Sequence, residues 1–490
     1  MTLADPFCLA LMLPIALLWY LLPVGYARSV FLLLISYAYY LTFNVWFFPV
    51  LLSVTAVAFG GGLLLERYRE RSWAVPLFIA LLLASFAPLV TYKFLIPLMT
   101  STTFGAGPNW ELTLADVVLP VGLSFYTFGA VGYLIDVWLE LLPAERDPVR
   151  LGLFCGLFSY VTAGPIPRAT VVLPQLDLRR APRSDAMMRG VTEILIGSAM
   201  KLWIADALTE PSASVYADLA GTIPLEKLVG TIFFAFQLYA DFAGYSLIAI
   251  GSARLFGIDI PPNFRQPFLT ATIPEFWRCW HISLFTWLRD YVFTPLRLQW
   301  RARPKLGSAL AMFITLVLVG VWHGTGWAYI GFGVVHGLLM VGSQFTLPAR
   351  DRFWASLHVP AALLRTVRIP ITFLIVALTL VLIRVKTLDD AIIVYKSIFS
   401  WTMIKNLSAL CLGGPSESLQ FVHIHFEQNI VGIVLIGVLI IGDIVARSKT
   451  IEFQRWPGFA RGFVYSSCTM VILYQAISET ATKPFVYFQF

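Results

Sequence analysis

Residues 306–322 read LGSALAMFITLVLVGVW, a stretch with no charged side chain. An α-helix rises about 1.5 Å per residue, so an apolar run of this length nearly crosses the hydrocarbon core of a bilayer. Similar runs lie near 8–24, 29–43, 46–64, 74–98, 115–138, 151–165, 190–207, 228–250, 327–345, 365–384, 429–446 and 463–477. The pattern predicts an all-α, polytopic integral membrane protein with about 10–13 membrane helices, some of them re-entrant or interfacial.

Composition supports the same class of protein. Of the 490 residues, 58% are hydrophobic and 13% are charged, whereas soluble domains usually carry about 25% charged residues. So little charge cannot cover a surface that faces water. The net charge is +7, but the basic residues lie in short loops between apolar runs, which indicates a topology signal. We therefore expect membrane lipid as a partner and no nucleic acid.

The organisation predicted from these runs is a single membrane domain over residues 1–490. We find no internal repeat. The core motifs occupy residues 115–345, and further membrane helices follow in 362–490. The arginine-rich segments 66–71 and 168–189 are expected on the cytoplasmic side, because basic loops are retained there.

The run 228–250 carries three polar side chains at a spacing of four residues. Gln237, Asp241 and Tyr245 therefore share one face of a helix. An acid within a membrane span costs several kcal/mol unless it is paired or hydrated. Two interpretations stay open: a structural hydrogen-bonding stripe that joins helices, or a polar face that contacts substrate.

Residues 274–291 predict an interfacial or re-entrant helix. Apolar side chains recur every three or four residues, at Trp277, Trp280, Leu284, Trp287 and Tyr291. Three tryptophans on one stripe suit the headgroup level of a membrane. Arg278 and Arg289 fall on the opposite side, next to Asp290. His281 lies at the border of the stripe, where it can face the protein interior.

The motif VWHGTGW, residues 321–327, follows the run 306–322 directly. Of six histidines in the chain, three lie within 56 residues: His281, His323 and His336. A buried neutral imidazole can accept the proton of a hydroxyl that attacks a thioester. Gly333 and Gly337 are spaced to let two helix backbones approach closely. Spacing alone leaves a heme or metal site open, although no Cys or Glu completes a ligand set, so no metal is expected.

At these residues the sequence resembles the membrane-bound O-acyltransferase superfamily, and within it the bacterial branch that contains the alginate O-acetylation membrane subunit. The resemblance is carried by LPVGLSFYTF (119–128), AGPI (163–166), LPQL (173–176), QLYADFAGYS (237–246), FWRCWHIS (276–283), WLRDY (287–291), WHGTGW (322–327) and PFVYFQF (484–490). Two positions depart from the family pattern: Cys279 replaces an arginine and Leu247 replaces an acid.

This resemblance implies a ring of helices around a central tunnel and assigns site residues. His323 matches the catalytic histidine of the family, and His281 matches a second active-site position where eukaryotic relatives often have Asn. The resemblance makes His323 a general base, and His281 or a tunnel dipole would steady the oxyanion. Candidate substrate-contacting or tunnel-lining residues are His336, Asp241, Gln237, Tyr245, Trp322, Trp280, Arg278, Arg289 and Asp290.

The activity implied is transfer of an acetyl group from cytoplasmic acetyl-CoA, without a bound cofactor. The group would be relayed across the bacterial inner membrane to an exported acetyltransferase, which modifies an exopolysaccharide or peptidoglycan. D-alanyl transfer to teichoic acid is an alternative. A multispan transporter or flippase is an alternative from another class, since it would also place Asp241 at membrane depth. It would not account for the three histidines.

Overall fold

The fold is given by a computed structural model that describes residues 2–101, 118–178, 183–412, 417–447, 453 and 456–478. The C-terminal segment 484–490 lies outside the described residues. The α-helices are Pro6–Leu21, Tyr26–Leu41, Phe48–Tyr68, Ala74–Val90, Ile96–Ser101, Leu123–Trp138, Pro148–Gly156, Ala169–Val172, Ser184–Ala199, Asp206–Ala217, Pro224–Leu255, Ile273–Trp277, Ile282–Leu288, Thr294–Gln299, Pro304–His323, Trp327–Ser356, Ala361–Arg384, Leu388–Ile398, Trp401–Leu412, Glu417–Arg447 and Gly458–Ile477. Short π-helical segments continue three of these helices, at Thr91–Leu95, Met200–Ala205 and Arg289–Phe293.

The all-α membrane prediction is confirmed. Most of the residues that the structure describes are helical, and none of them lies in a strand. Seven described helices are long and apolar enough to cross a membrane: Val45–Tyr68, Ala74–Met99, Pro224–Leu255, Pro304–His323, Trp327–Ser356, Ala361–Arg384 and Ile430–Arg447. The protein is therefore a multi-pass membrane protein. The full count of about 10–13 membrane helices, the central tunnel and the single-domain organisation stay predictions.

Contacts between described residues group the chain into two compact units. The first contains residues 1–197 and 245–262, and the second contains residues 198–244 and 263–490. In the first unit, Gly122 opens the helix Leu123–Trp138 with φ 75°. A Cβ atom there would lie 1.8 Å from the Val161 carbonyl oxygen. Only glycine fits this turn, which explains its place in the motif 119–128.

A helical hairpin of Pro304–His323 and Trp327–Ser356 dominates the second unit. A Cβ atom on Gly333 would lie 2.6 Å from the Leu316 carbonyl oxygen, and one on Gly337 would lie 2.8 Å from the Phe313 ring. The predicted close approach of two helices at these glycines is confirmed. The hairpin places His323, at the end of its first helix, close to the start of the second.

The predicted span 151–165 is wrong. The helix Pro148–Gly156 ends after nine residues, and turns follow to Gly164. Leu157, Val161 and Ala163 are fully buried. The segment is apolar because it packs inside the protein, and burial of a turn cannot be told from a lipid-facing helix by hydropathy alone.

The prediction of a single interfacial or re-entrant helix over 274–291 is also wrong, because the segment does not form one helix. Two short helices, Ile273–Trp277 and Ile282–Leu288, are separated by a turn. Trp277, Trp280 and Trp287 are 2%, 8% and 4% exposed, so they face the protein interior and not the headgroup level. These rings pack against other protein side chains and not against lipid headgroups. The Trp280 ring, for example, stacks on that of Phe276, with centroids 5.5 Å apart.

Candidate active site

A small cavity in the second unit brings two of the predicted histidines together. Five segments contribute to it: Pro224–Leu255, the turn after Ile273–Trp277, the end of Pro304–His323, Trp327–Ser356 and Ala361–Arg384. The lining side chains are Leu238, Phe242, Trp280, His281, His323, Phe332, Leu380 and Ile383. Six of these eight are apolar, so the two imidazoles face an environment from which water is largely excluded.

His281 is held in an unusual backbone conformation. Its φ of 42° and ψ of 54° lie in the left-handed region, which only a few per cent of residues other than glycine adopt. The residue is 3% exposed and Asn263 is 1% exposed. The Asn263 carbonyl oxygen accepts a hydrogen bond from the Ile282 amide at 2.9 Å. Its side-chain Oδ1 accepts one from the Ser283 amide at 3.1 Å and one from the Ser283 hydroxyl at 2.9 Å.

The His281 ring itself is packed between aromatic rings and the same asparagine. Its Nδ1 lies 3.2 Å from the Asn263 Oδ1. The Phe242 ring meets it edge to face with centroids 4.7 Å apart, and the Trp322 ring lies 5.7 Å away. This burial lowers the pKa of His281 to about 3. The imidazole is therefore neutral at neutral pH.

His323 is the last residue of its helix and is half-buried. Its ring packs on Trp322, with centroids 4.9 Å apart, and meets Phe332 edge to face at 5.8 Å. The predicted site residue Trp322 therefore contacts both cavity histidines, although it is not among the lining side chains. A Cβ atom on Gly324 would lie 2.6 Å from the Tyr329 ring, so this glycine lets the chain turn tightly after His323.

His336 has a different role because both of its nitrogens have partners. The Trp277 Nε1–H donates to Nδ1 at 3.2 Å. The Thr379 hydroxyl donates to the Val376 carbonyl at 2.7 Å, so it accepts from the Nε2–H of His336 at 2.8 Å. His336 is fully buried. Its hydrogen-bonding capacity is used up in holding Trp277, and its predicted contact with substrate stays a prediction.

Asp241 forms a buried ion pair that the sequence analysis missed. Its Oδ1 lies 2.8 Å from the Lys201 Nζ, which also lies 3.0 Å from the Asp206 Oδ1. Lys201 is 2% exposed and Asp241 is fully buried. Breaking a buried pair of this kind typically costs about 3–5 kcal/mol, because the remaining charge is left uncompensated. The feature of the sequence that could have revealed this ion pair is the lysine inside the apolar run 190–207.

The other two members of the predicted polar stripe are also bonded to protein. The Gln237 Nε2 donates to the Thr209 Oγ1 at 3.0 Å. In the first unit, the Tyr245 hydroxyl lies 2.5 Å from the Thr162 hydroxyl. The cavity instead uses Leu238, the next residue along the same helix. These contacts favour the structural interpretation of the stripe.

The remaining predicted polar residues lie away from the described cavity. Arg278 and Arg289 are exposed, and the Arg289 Nε pairs with the Asp290 Oδ1 at 2.7 Å. Their contact with substrate stays a prediction. Within the described ranges, no three His, Cys, Asp or Glu side chains gather as a metal site. That the protein binds no metal stays a prediction.

The fold and the cavity define a multi-pass membrane protein with a buried, two-histidine site in apolar walls. Comparison with known proteins then gives the family. The sequence model of the membrane-bound O-acyltransferase family matches residues 228–383, a range that contains all three histidines. The chain belongs to the membrane-bound O-acyltransferase family.

Individual relatives extend the match over most of the chain. A probable alginate O-acetylase of Azotobacter vinelandii is 32% identical over 407 residues, covering 81% of this chain and 78% of the relative. The peptidoglycan O-acetyltransferase of Helicobacter pylori is 28% identical, covering 80% and 78%. The teichoic acid D-alanyltransferase of Bacillus subtilis is 28% identical, covering 57% and 70%. The protein is therefore an acyltransferase, and the transporter alternative receives no support from these relatives.

Substitutions at His281 separate its backbone role from its side-chain role. His281→Gly and His281→Ala both remove the buried ring, but only glycine adopts the left-handed conformation without strain. We therefore expect His281→Ala to be less stable than His281→Gly by about 1–2 kcal/mol. Thermal unfolding of the detergent-purified protein checks this, and equal melting of the Ala and Gly variants would contradict it.

In acetylation assays, His281→Asn should keep more activity than His281→Ala, and full activity in both would remove His281 from the site.

Proposed function

We propose that this protein is a membrane O-acetyltransferase of the bacterial inner membrane. It takes an acetyl group from acetyl-CoA on the cytoplasmic side and passes it outward for O-acetylation of an exopolysaccharide or a cell-wall polymer. The observation that carries the proposal is the cavity that His323 and His281 line together. Apolar side chains form the rest of its wall. Acetyl-CoA is a substrate in this scheme, and no bound cofactor is required.

The chemistry is the attack of a hydroxyl oxygen on the thioester carbonyl carbon. His323 accepts the hydroxyl proton on the unprotonated nitrogen of its neutral ring as the carbon–oxygen bond forms. The tetrahedral intermediate collapses, the carbon–sulfur bond breaks, and the proton returns to the departing thiolate. The products are an acetyl ester and the CoA thiol. The apolar side chains of the cavity, among them Phe332 and Leu380, support this scheme because they limit competing attack by water.

Acetyl transfer is favoured over D-alanyl transfer by the extent of the similarity. The probable alginate O-acetylase aligns with 81% of this chain at 32% identity, whereas the D-alanyltransferase aligns with 57% at 28% identity. The relative that acts on peptidoglycan also carries an acetyl group, and it aligns with 80% of the chain.

His323→Ala should abolish polymer acetylation while the protein still inserts into the membrane. Loss of a positioned base typically costs about 10²–10⁴ in rate. The measurement is the acetyl content of the polymer from cells that express each variant, with the protein level in purified membranes as the control. Near-normal acetylation by His323→Ala would remove the assignment.

We further propose that the chain does not acetylate the final polymer alone. A hydrated polysaccharide would have to give up many water hydrogen bonds to enter an apolar cavity, and each unsatisfied polar group costs about 1–3 kcal/mol. An acetyl group or a single side-chain hydroxyl enters far more easily. An exported acetyltransferase partner would receive the acetyl group at the outer surface and bind the polymer in water. The hydrated polymer then does not have to enter the cavity.

Reconstitution tests this relay. Proteoliposomes contain only this protein, labelled acetyl-CoA faces its cytoplasmic side, and polymer is supplied on the other side, with His323→Ala proteoliposomes as the matched control. We expect no labelled polymer until the exported partner is added. Labelled polymer from the wild-type protein alone would make this chain the complete transferase and contradict the relay.

A further inference from the structure

The hydrogen bonds around Asn263 decide which nitrogen of His281 carries the hydrogen. The backbone amide of Ser283 can only donate, so the Asn263 side-chain atom that it meets at 3.1 Å must be the oxygen and not the amide nitrogen. The Ser283 hydroxyl, 2.9 Å from the same atom, is consistent with this orientation. The amide of Asn263 is therefore fixed by contacts that do not involve the histidine.

The same oxygen lies 3.2 Å from the Nδ1 of His281. Two acceptors cannot share a hydrogen bond without a hydrogen between them, so Nδ1 must be the protonated nitrogen. A neutral imidazole then has its lone pair on Nε2. Asn263 does not line the cavity whereas His281 does, so the ring edge that carries Nε2 is directed away from Asn263.

We propose that Asn263 is a positioning residue that holds His281 as the Nδ1–H tautomer, with Nε2 as a hydrogen-bond acceptor for a substrate N–H or O–H. The two interactions of this asparagine act together. Its main-chain oxygen and side-chain oxygen fix the left-handed turn, and the side-chain oxygen also fixes the ring. The consequence for catalysis rests on the proposed function, whereas the tautomer does not.

This assignment differs from the expectation that His281 donates a hydrogen bond to the oxyanion. Donation from Nε2 would require the imidazolium, and burial lowers the pKa of His281 to about 3. Of the side chains described around the cavity, His323 is the other titratable group, and the Phe242 and Trp322 rings that pack on His281 carry no charge. Burial outweighs the hydrogen bond to the backbone of His281, which raises the pKa, so the ring stays neutral. Oxyanion stabilisation must come from another donor.

Nitrogen-15 NMR of the histidine-labelled, detergent-purified protein tests the tautomer without any reaction. His281→Asn identifies the signals of this ring among the six histidines of the chain. We expect Nδ1 to show the shift of a protonated ring nitrogen and Nε2 that of an unprotonated one. The reverse pattern in the wild type overturns the proposal, whatever the behaviour of any variant.

Asn263→Ala and Ser283→Ala form a matched pair for the positioning role. Both remove hydrogen bonds at the same oxygen, but only Asn263→Ala removes the partner of Nδ1. We expect Asn263→Ala to lose the single-tautomer signal and about 10–100-fold in acetyl transfer, the loss typical for partners that orient metal-bound histidines. Ser283→Ala should keep the wild-type tautomer and most of the activity.

The outcomes separate this inference from the proposed function. An Asn263→Ala protein with a wild-type ring signal or full activity overturns the positioning role. Equal losses of activity in Asn263→Ala and Ser283→Ala, with the tautomer unchanged in both, would reduce Asn263 to a structural residue and overturn it as well. A wild-type protein with the expected tautomer that transfers no acetyl group contradicts the proposed function alone.

Discussion

The turn at His281 is the feature on which the candidate site depends. The spacing of apolar residues over 274–291 predicts one helix, with its aromatic stripe facing one direction throughout. The left-handed conformation breaks that helix, and the two oxygens of Asn263 satisfy the amides that the break exposes. A buried amide without a hydrogen-bond partner lowers the stability of a protein by on the order of 1–2 kcal/mol. A residue held in the left-handed conformation lowers it by a similar amount. The strain lies beside the cavity, where strained residues commonly serve function.

Close helix packing supplies the second half of the site. The approach of two backbones at Gly333 allows the hairpin to place His323 against Phe332. His336, one turn further along the same helix, fixes Trp277 by a hydrogen bond, and Trp277 ends the short helix that precedes the His281 turn. The three histidines that cluster in the sequence thus divide into two that line the cavity and one that supports its wall.

The class of protein could be predicted from the sequence because it depends on hydropathy and charge summed over many residues. Long uncharged runs such as 306–322 require lipid or a protein core, and most became long helices. The histidines were found through their motifs. Asn263 was not, because its role arises from hydrogen bonds to residues 18–20 positions away. The segment 151–165 was misassigned since hydropathy does not separate a buried turn from a span, and Lys201 was overlooked although its charge breaks an apolar run.

The central claim is that acyl transfer takes place in the cavity at His323. Thiol release from acetyl-CoA by the purified protein in lipid nanodiscs, with a small alcohol as acceptor, measures this step without any partner or polymer. The wild type and Thr325→Ala, a change at an exposed residue of the same turn, should release thiol at similar rates that rise with alcohol concentration. His323→Ala should be slower by about 10²–10⁴. Thiol release by His323→Ala at the wild-type rate would contradict the account.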